Sequence, residues 1–250
     1  MPELFEVLYE DAELLAINKP AGLVCHPTKG DVYSSLISRV RLHVGGDTPV
    51  HLVNRLDRET SGVVLAVKGD HRVGKIKQLF AEREVTKEYL AIVHGHVTTD
   101  SGSCQEPLGR DEKSVVAVKD CVRPDGVAAR TDFFVAQRFE RAEGRFTLLR
   151  VQPHTGRKHQ IRIHLAHLGH PLVGDKIYGG NERLYLDFVE RRFTEEHRRQ
   201  LILPCHALHA EVLRFNWLLK DWVFRCAPEA WFTDFAAGNP CTPDWAEKYL

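Results

Sequence analysis

The sequence predicts an α+β fold: a mixed, largely antiparallel central sheet with flanking helices, in one domain over residues 1–250, with a cleft between two sheet halves. Three observations predict it. The chain has 250 residues, 43% of them hydrophobic, enough to bury a sizeable core. Its strand-like runs are short and numerous, and few helical patterns separate them, which favours antiparallel pairing over βαβ winding. No repeat, low-complexity stretch or linker interrupts the pattern.

The elements follow in order. Residues 5–18 alternate between apolar and polar and read as two short strands, Glu6–Tyr9 and Leu14–Ile17. Asn18-Lys19-Pro20-Ala21-Gly22 is a turn punctuated by Pro and Gly. Ser34 or Ser35 caps a helix to about Val44, which Gly45-Gly46-Asp47 ends. Leu52 to Val67 reads as strand, loop and strand, the second strand being the apolar run Val63–Val67. A helix over about His71–Glu84 places Val73, Ile76, Lys77, Leu79 and Phe80 at roughly helical period, and its outer face, basic and acidic in turn, reads as a solvated surface. Strands are expected at Lys87–Val93, Val115–Val118, Thr131–Val135 and Phe146–Val151. A helix over about Arg157–Leu168 gathers Ile161, Leu165 and Leu168 on one face and is ended by Gly169 and Pro171. Residues 181–203 are charged and helix-prone, and Ala210–Phe215 is a further strand. The C-terminal segment, with Trp217, Trp222, Trp231 and Trp245, is expected to pack over the sheet.

Composition narrows the function. Thirty-four basic residues balance thirty-four acidic ones, so binding to nucleic acid would need a local basic patch. No run of 18 apolar residues offers a transmembrane helix, and the acidic start Met1–Glu6 is unlike a signal peptide. The six cysteines, at 25, 104, 121, 205, 226 and 241, form no C-x-x-C pair, as expected of a reduced, cytoplasmic protein.

Two stretches carry chemistry. In the first, Asp57 lies between Arg55 and Arg58, just before the Thr60-Ser61-Gly62 turn. A carboxylate held by cations has a depressed pKa and a fixed direction, which suits a nucleophile; a surface salt-bridge loop is the competing reading. In the second, residues 153–170, a Thr155-Gly156 turn leads into the helix and sets Arg157, Lys158 and His159 at its positive end. That arrangement suits phosphate, at some cost to the helix; the competing reading is an ordinary capped helix with a basic first turn. Arg162, one turn inside, is placed to meet a carboxylate from elsewhere, and Asp57 is a candidate. His159, His164, His167 and His170 lie close in sequence. They lack an H-E-x-x-H pattern and a flanking acid or cysteine at ligand spacing, so polar contacts are expected rather than a metal.

From about residue 5 to 215 the chain resembles the RluA-type pseudouridine synthases. Five motifs in family order carry the resemblance: Asn18-Lys19-Pro20-Ala21-Gly22; Asn54-Arg55-Leu56-Asp57-Arg58-Glu59-Thr60-Ser61-Gly62; Lys87 to Gly95; Thr155 to Arg162 running on through His170–Gly179; and Ala207-Leu208-His209-Ala210. Each alone is a weak pattern. The resemblance implies the pseudouridine synthase fold and the conversion of a uridine in structured RNA to pseudouridine without a cofactor. It places the family's essential aspartate on Asp57, its tyrosine on Tyr89 and its active-site arginine on Arg162, expected to pair with Asp57. Arg55 matches the arginine that helps extrude the target nucleotide and fills its place. A buried uridine must be flipped out before its glycosidic bond can be reached, so such a residue makes independent sense.

The chain departs from the family pattern at Asn54, where His is usual, and at Phe215-Asn216-Trp217, where many members have a His-Pro pair. It begins directly with the catalytic segment, so no N-terminal accessory RNA-binding domain is expected. Binding would then rest on Arg55, Arg58, Arg157, Lys158, His159 and Arg162 and be strongly salt-dependent. A tRNA or rRNA stem-loop is the expected partner, a small RNA being preferred, and the protein is expected to be a monomer. The reading from a different class is an RNA-binding module that keeps the fold without catalysis; the presence of Asp57, Tyr89 and Arg162 argues against it.

Overall fold

A computed structural model describes residues 5–27, 35–45 and 47–240. Among these, twelve strands and six helices follow in the order β1 (Glu6–Glu10), β2 (Leu14–Lys19), α1 (Leu36–Val44), β3 (Val50–Leu52), β4 (Ser61–Lys68), α2 (Val73–Ala81), β5 (Thr86–His94), β6 (Ser101–Cys104) and β7 (Leu108–Arg110). They continue as β8 (Asp120–Val122), β9 (Thr131–Arg141), β10 (Gly144–Pro153), α3 (Gln160–His167), α4 (Arg183–Val189), α5 (Glu195–Leu201), β11 (Leu208–Trp217), β12 (Lys220–Arg225) and α6 (Ala230–Ala237). The fold is α+β with a mixed, mostly antiparallel sheet, as the short alternating runs predicted.

The chain divides into two compact units: Met1–Glu88 with His209–Glu229, and Tyr89–Leu208 with Ala230–Leu250. In the first, the strand order is β1-β2-β4-β11, with β3 added to β4 and β12 to β11. All pairs there are antiparallel except β4–β11, a short parallel contact of His209 with Ser61 and Ala210 with Gly62. The buried run of β4 and the inward positions of β2 and β11 meet Ile76 of α2 and the β12 aromatics in one apolar cluster. In the second unit the order is β5-β10-β9-β6, all antiparallel. One face packs on Ile161 and Leu165 of α3, while another cluster joins Phe146 to Phe232 and Phe235 of α6.

Several sequence expectations need correction. Val115–Val118 is not a strand. The Glu182 carboxylate accepts from the Val115 N–H and the Ser114 hydroxyl, and Ser114 Oγ accepts from the Val116 N–H. Side chains thus satisfy the backbone that a sheet partner would have satisfied, and only Val116 is buried. Helix α2 covers Val73–Ala81 rather than His71–Glu84, because Arg83 turns left-handed at φ 64°. Helix α3 begins at Gln160, not Arg157, and Leu168 lies beyond its end and 39% exposed. Residues 181–203 contain two short helices, α4 and α5. Trp217 and Trp222 belong to β11 and β12, so they extend the sheet and bury within it instead of covering it. Ser34, Gly46, Cys241 and Trp245 lie outside the described residues.

Candidate active site

In the first unit Asp57 sits in the loop between β3 and β4, and that loop is pinned on every side. Thr60 N–H donates to the Asp57 carbonyl at 3.2 Å, closing the turn. Leu56, buried, exchanges hydrogen bonds with Cys25: the thiol donates to the Leu56 carbonyl and the Leu56 N–H to the sulfur, both at 3.4 Å. The fully buried Lys19 spends its ammonium on three carbonyls, those of Pro20 (2.9 Å), Leu23 (2.8 Å) and Arg58 (3.1 Å). Arg58 answers with Nε to the Gly22 carbonyl at 3.1 Å, and Gly22 N–H returns a bond to the Arg58 carbonyl at 2.8 Å. The turn Asn18–Gly22 and the Asp57 loop are therefore one structure. A buried ammonium is tolerated because all three of its protons are donated.

Asn54, the departure from the family pattern, has a structural task. Its side-chain Nδ2 donates to the Val63 carbonyl at 3.1 Å and its Oδ1 accepts from Leu65 N–H at 2.8 Å. The amide thus prolongs the β4 ladder to the root of the loop. At the loop's far end, Ser61 Oγ lies 2.8 Å from His209 Nδ1, and His209 Nε2 donates to the Cys226 carbonyl at 3.1 Å. Burial pushes the His209 imidazole down to about 4, so it is neutral near pH 7. Arg55 and Arg58 are exposed and Asp57 is half-buried.

The second unit holds the other predicted residues. Tyr89 stands on β5 opposite Val151 of β10, half-buried against the cluster of Ala91, Leu149 and Val151. Arg162 of α3 is 5% exposed. Its Nε and one terminal nitrogen grip the Asp175 carboxylate at 2.7 and 2.8 Å, and its guanidinium lies over the Tyr178 ring at 5.0 Å. Asp175 also accepts the N–H groups of Ile177 and Tyr178 at 2.9 and 3.0 Å. Burial alone would raise the Asp175 carboxyl, but the Arg162 charge and these hydrogen bonds outweigh it and hold it well below the usual range.

The basic segment ahead of α3 differs from the expected helical first turn. His159 is left-handed at φ 56° and ψ 17°, with Nδ1 3.0 Å from the Tyr178 hydroxyl. Lys158 Nζ reaches Asp120 at 2.9 Å and Arg157 Nε the Ala128 carbonyl at 3.2 Å. Gln160, buried, organises the turn: its Oε1 accepts from Thr155 Oγ1 (2.6 Å) and Arg157 N–H (3.1 Å). Its Nε2 donates to the Arg130 carbonyl (2.8 Å) and Thr131 Oγ1 (2.9 Å). His164 is placed between Thr131 Oγ1 and the Glu106 carbonyl, both at 2.9 Å, and His170 bonds the His94 carbonyl at 3.0 Å. These are the polar contacts the sequence favoured. Asp175, Tyr178, Gln160 and the role of Lys19 were missed as site residues. All four stand inside quoted motifs, but only burial in the fold shows what they hold.

The sequence pattern of the RNA pseudouridylate synthases matches residues 13–167, which include the Asp57 loop, Tyr89 and Arg162. The chain belongs to that family. It is 34% identical over 221 residues to the uncharacterized RNA pseudouridine synthase YlyB of Bacillus subtilis, covering 86% of this chain and 65% of the relative. It is 37% identical over 216 residues to ribosomal large subunit pseudouridine synthase D of Pseudomonas aeruginosa, covering 84% and 63%. The chain thus spans a little under two thirds of the length of these curated relatives. The solved structure of human RNA pseudouridylate synthase domain containing 4 superposes with a TM-score of 0.70 at 27% identity, over 91% of this chain and 90% of that one. The pseudouridine synthase family therefore accounts for the fold and for the order of the five motifs.

Proposed function

We propose that this protein converts a specific uridine in a structured RNA to pseudouridine, without a cofactor, and that Asp57 is its essential catalytic residue. The observation that carries the reading is the Asp57 turn itself, fixed by Lys19, Cys25 and Thr60 in a chain of this family. So many bonds to the backbone on either side of one half-buried aspartate hold its Cα in a fixed place, a preorganisation that attack at a defined atom requires. The reaction is an isomerisation. The N1–C1′ bond breaks, the base turns, C1′ bonds to C5, the C5 proton leaves to solvent and N1, freed of C1′, takes up a proton. Attack of Asp57 on C1′, attack on C6, and assistance to a glycal route all fit this balance.

On the same footing, Arg55 takes the place of the flipped nucleotide, Tyr89 lies against the base, and Arg162 supplies positive charge to the reaction. Arg58, Arg157, Lys158 and His159 contribute to RNA binding. The substrate is a tRNA or an rRNA stem-loop, and the large-subunit name of one relative makes rRNA the first arm to test. We read the protein as a monomer acting in the cytoplasm. The five described cysteines form no disulfide, and no helix among the described residues is long and apolar enough to cross a membrane. The test is tritium release from unmodified transcripts labelled at uridine C5. Wild-type protein releases tritium from one of them; Asp57→Ala binds that RNA and releases none. Binding by the wild type without release from any transcript would leave the RNA-binding-module reading standing instead.

A further inference from the structure

Two helices of the first unit carry charge of one sign only. Helix α1 holds Arg39, Arg41 and His43, and α2 holds Lys75 and Lys77, with no Asp or Glu in either. In a chain whose formal charges balance to zero, that is a local asymmetry of the kind a polyanion partner needs. His43 is engaged with Glu10 at 2.7 Å.

The backbone gathers the helix and the Asp57 loop together. At the start of α1, Leu36 N–H donates to the Val24 carbonyl at 2.8 Å and Ile37 N–H to the Cys25 carbonyl at 3.1 Å. Cys25 in turn exchanges its two thiol bonds with Leu56, the residue between Arg55 and Asp57. Segment 24–25, the first turn of α1 and the catalytic loop are thus locked to one another. His26 and Arg55 stand exposed beside this lock, and Arg41 and Lys77 are exposed as well. Val53, two residues before Arg55, and Val73, Leu79 and Phe80 of α2 pack against the same apolar cluster, so α2 and the loop share one support. Partial desolvation at the foot of the loop lowers the His26 pKa, and the positive charges of Arg55, Arg41 and Lys77 lower it further. Exposed cations gathered this way repel one another, a cost that a bound anion would reverse.

We propose that Arg41 and Lys77, with His26 beside them, form a track for the phosphodiester backbone of the RNA strand adjoining the target nucleotide, leading to Arg55 in the Asp57 loop. The proposal rests on the RNA-modifying reading above and adds two helices to its binding surface. RNA is favoured over an acidic protein because Arg55 belongs to the loop that carries Asp57, where the target uridine would enter.

The test uses the full chain and a short fluorescent oligouridylate, with affinity measured by anisotropy across a KCl series. Each phosphate contact on a single strand contributes about 0.7 to the slope of log affinity against log salt. The double variant Arg41→Gln/Lys77→Gln is expected to lower the slope by about 1.4 and to weaken binding about tenfold near physiological salt. Arg41→Lys/Lys77→Arg restores both. Arg225→Gln, which removes an exposed cation already paired with Glu211, leaves the slope where it was. An unchanged slope in the double glutamine variant, with its thermal unfolding like that of wild type, overturns the track. Equal competition by polyglutamate and by unlabelled oligouridylate also overturns it, in favour of an acidic-protein surface. Tritium release is measured in parallel. A wild type that releases none while the slope still depends on Arg41 and Lys77 defeats the catalytic reading and leaves the track in place. An active wild type with an unmoved slope defeats the track alone.

Discussion

At the scale of single residues, the groups with most at stake are buried and charged or buried and titratable. Asp175 and Arg162 form a two-pronged pair with both side chains nearly inaccessible. Asp175→Asn would leave the guanidinium buried without that counter-charge. The expected cost is about 3–5 kcal/mol, read from urea unfolding, with tritium release lost in step. Two of the shifted groups act on the pH dependence of stability in separate windows. His209 has a folded pKa of about 4, below the value of about 6.5 it has when unfolded. Between those values the unfolded chain binds the extra proton, so His209's contribution is complete above pH 6.5 and is lost as pH falls to 4. Asp175 is depressed below the ordinary carboxylate value of about 3.9, so its contribution is lost only further down, below that pH. Urea midpoints should therefore fall in two stages on acidification. His209→Gln should shrink the first stage, to which the burial-lowered His94 and His164 also contribute, by roughly 3 kcal/mol and spare the second. A single stage confined below pH 4 would contradict this. Of these residues, Asp57 and Arg162 were legible in the sequence as charges in a pattern. Asp175 was not, because nothing local marks a carboxylate as buried.

At the scale of elements, the strands were the most legible part. The unbroken apolar run of β4 reports directly that both its faces are buried, whereas alternation in β1 and β2 located strands without their faces: β1 has no buried residue and β2 is buried nearly throughout. Helix starts were less so. The basic run Arg157–His159 reads as a first helical turn, yet Gln160, through four side-chain bonds, draws Thr155, Arg157, Arg130 and Thr131 together. The helix can begin only after that turn. Gln160→Ala should cost about 2–4 kcal/mol and raise the KM for RNA, because the turn that carries Arg157 and Lys158 loses its frame. Gly62 is the second control point. Its φ is 116°, and a Cβ there would fall on the Ala210 backbone of the adjacent β11. Gly62→Ala should force β4 and β11 apart, destabilise by about 2–3 kcal/mol and reduce tritium release, since β4 begins where the Asp57 turn ends. A variant of wild-type stability would show that the parallel contact is dispensable. Val115–Val118 failed as a predicted strand for a related reason. Four apolar residues have strand propensity, but propensity yields where distant side chains such as Glu182 satisfy the backbone.

At the scale of the whole molecule, a formal charge of zero means that RNA affinity must come from local surfaces. Affinity for the substrate RNA should therefore fall linearly with log salt, with a slope reporting several phosphates; a slope near zero would contradict a backbone-contacting surface. By itself the sequence determined the fold class, the strands from β1 to β5 and β9 to β11 though not β6, β7, β8 or β12, and the family, because alternation and motif order are properties of local spacing. It also determined which carboxylate and which arginines to weigh. Only the tertiary structure decided what holds them. Lys19 is 39 residues from the Arg58 carbonyl it caps, Ser61 is 148 from His209, and Arg162 is 13 from the Asp175 that grips it. Burial and partner choice are set by what the fold brings alongside. A residue's neighbours in the chain therefore predict its element and chemical type, but not the counter-charge or carbonyl that fixes it in place.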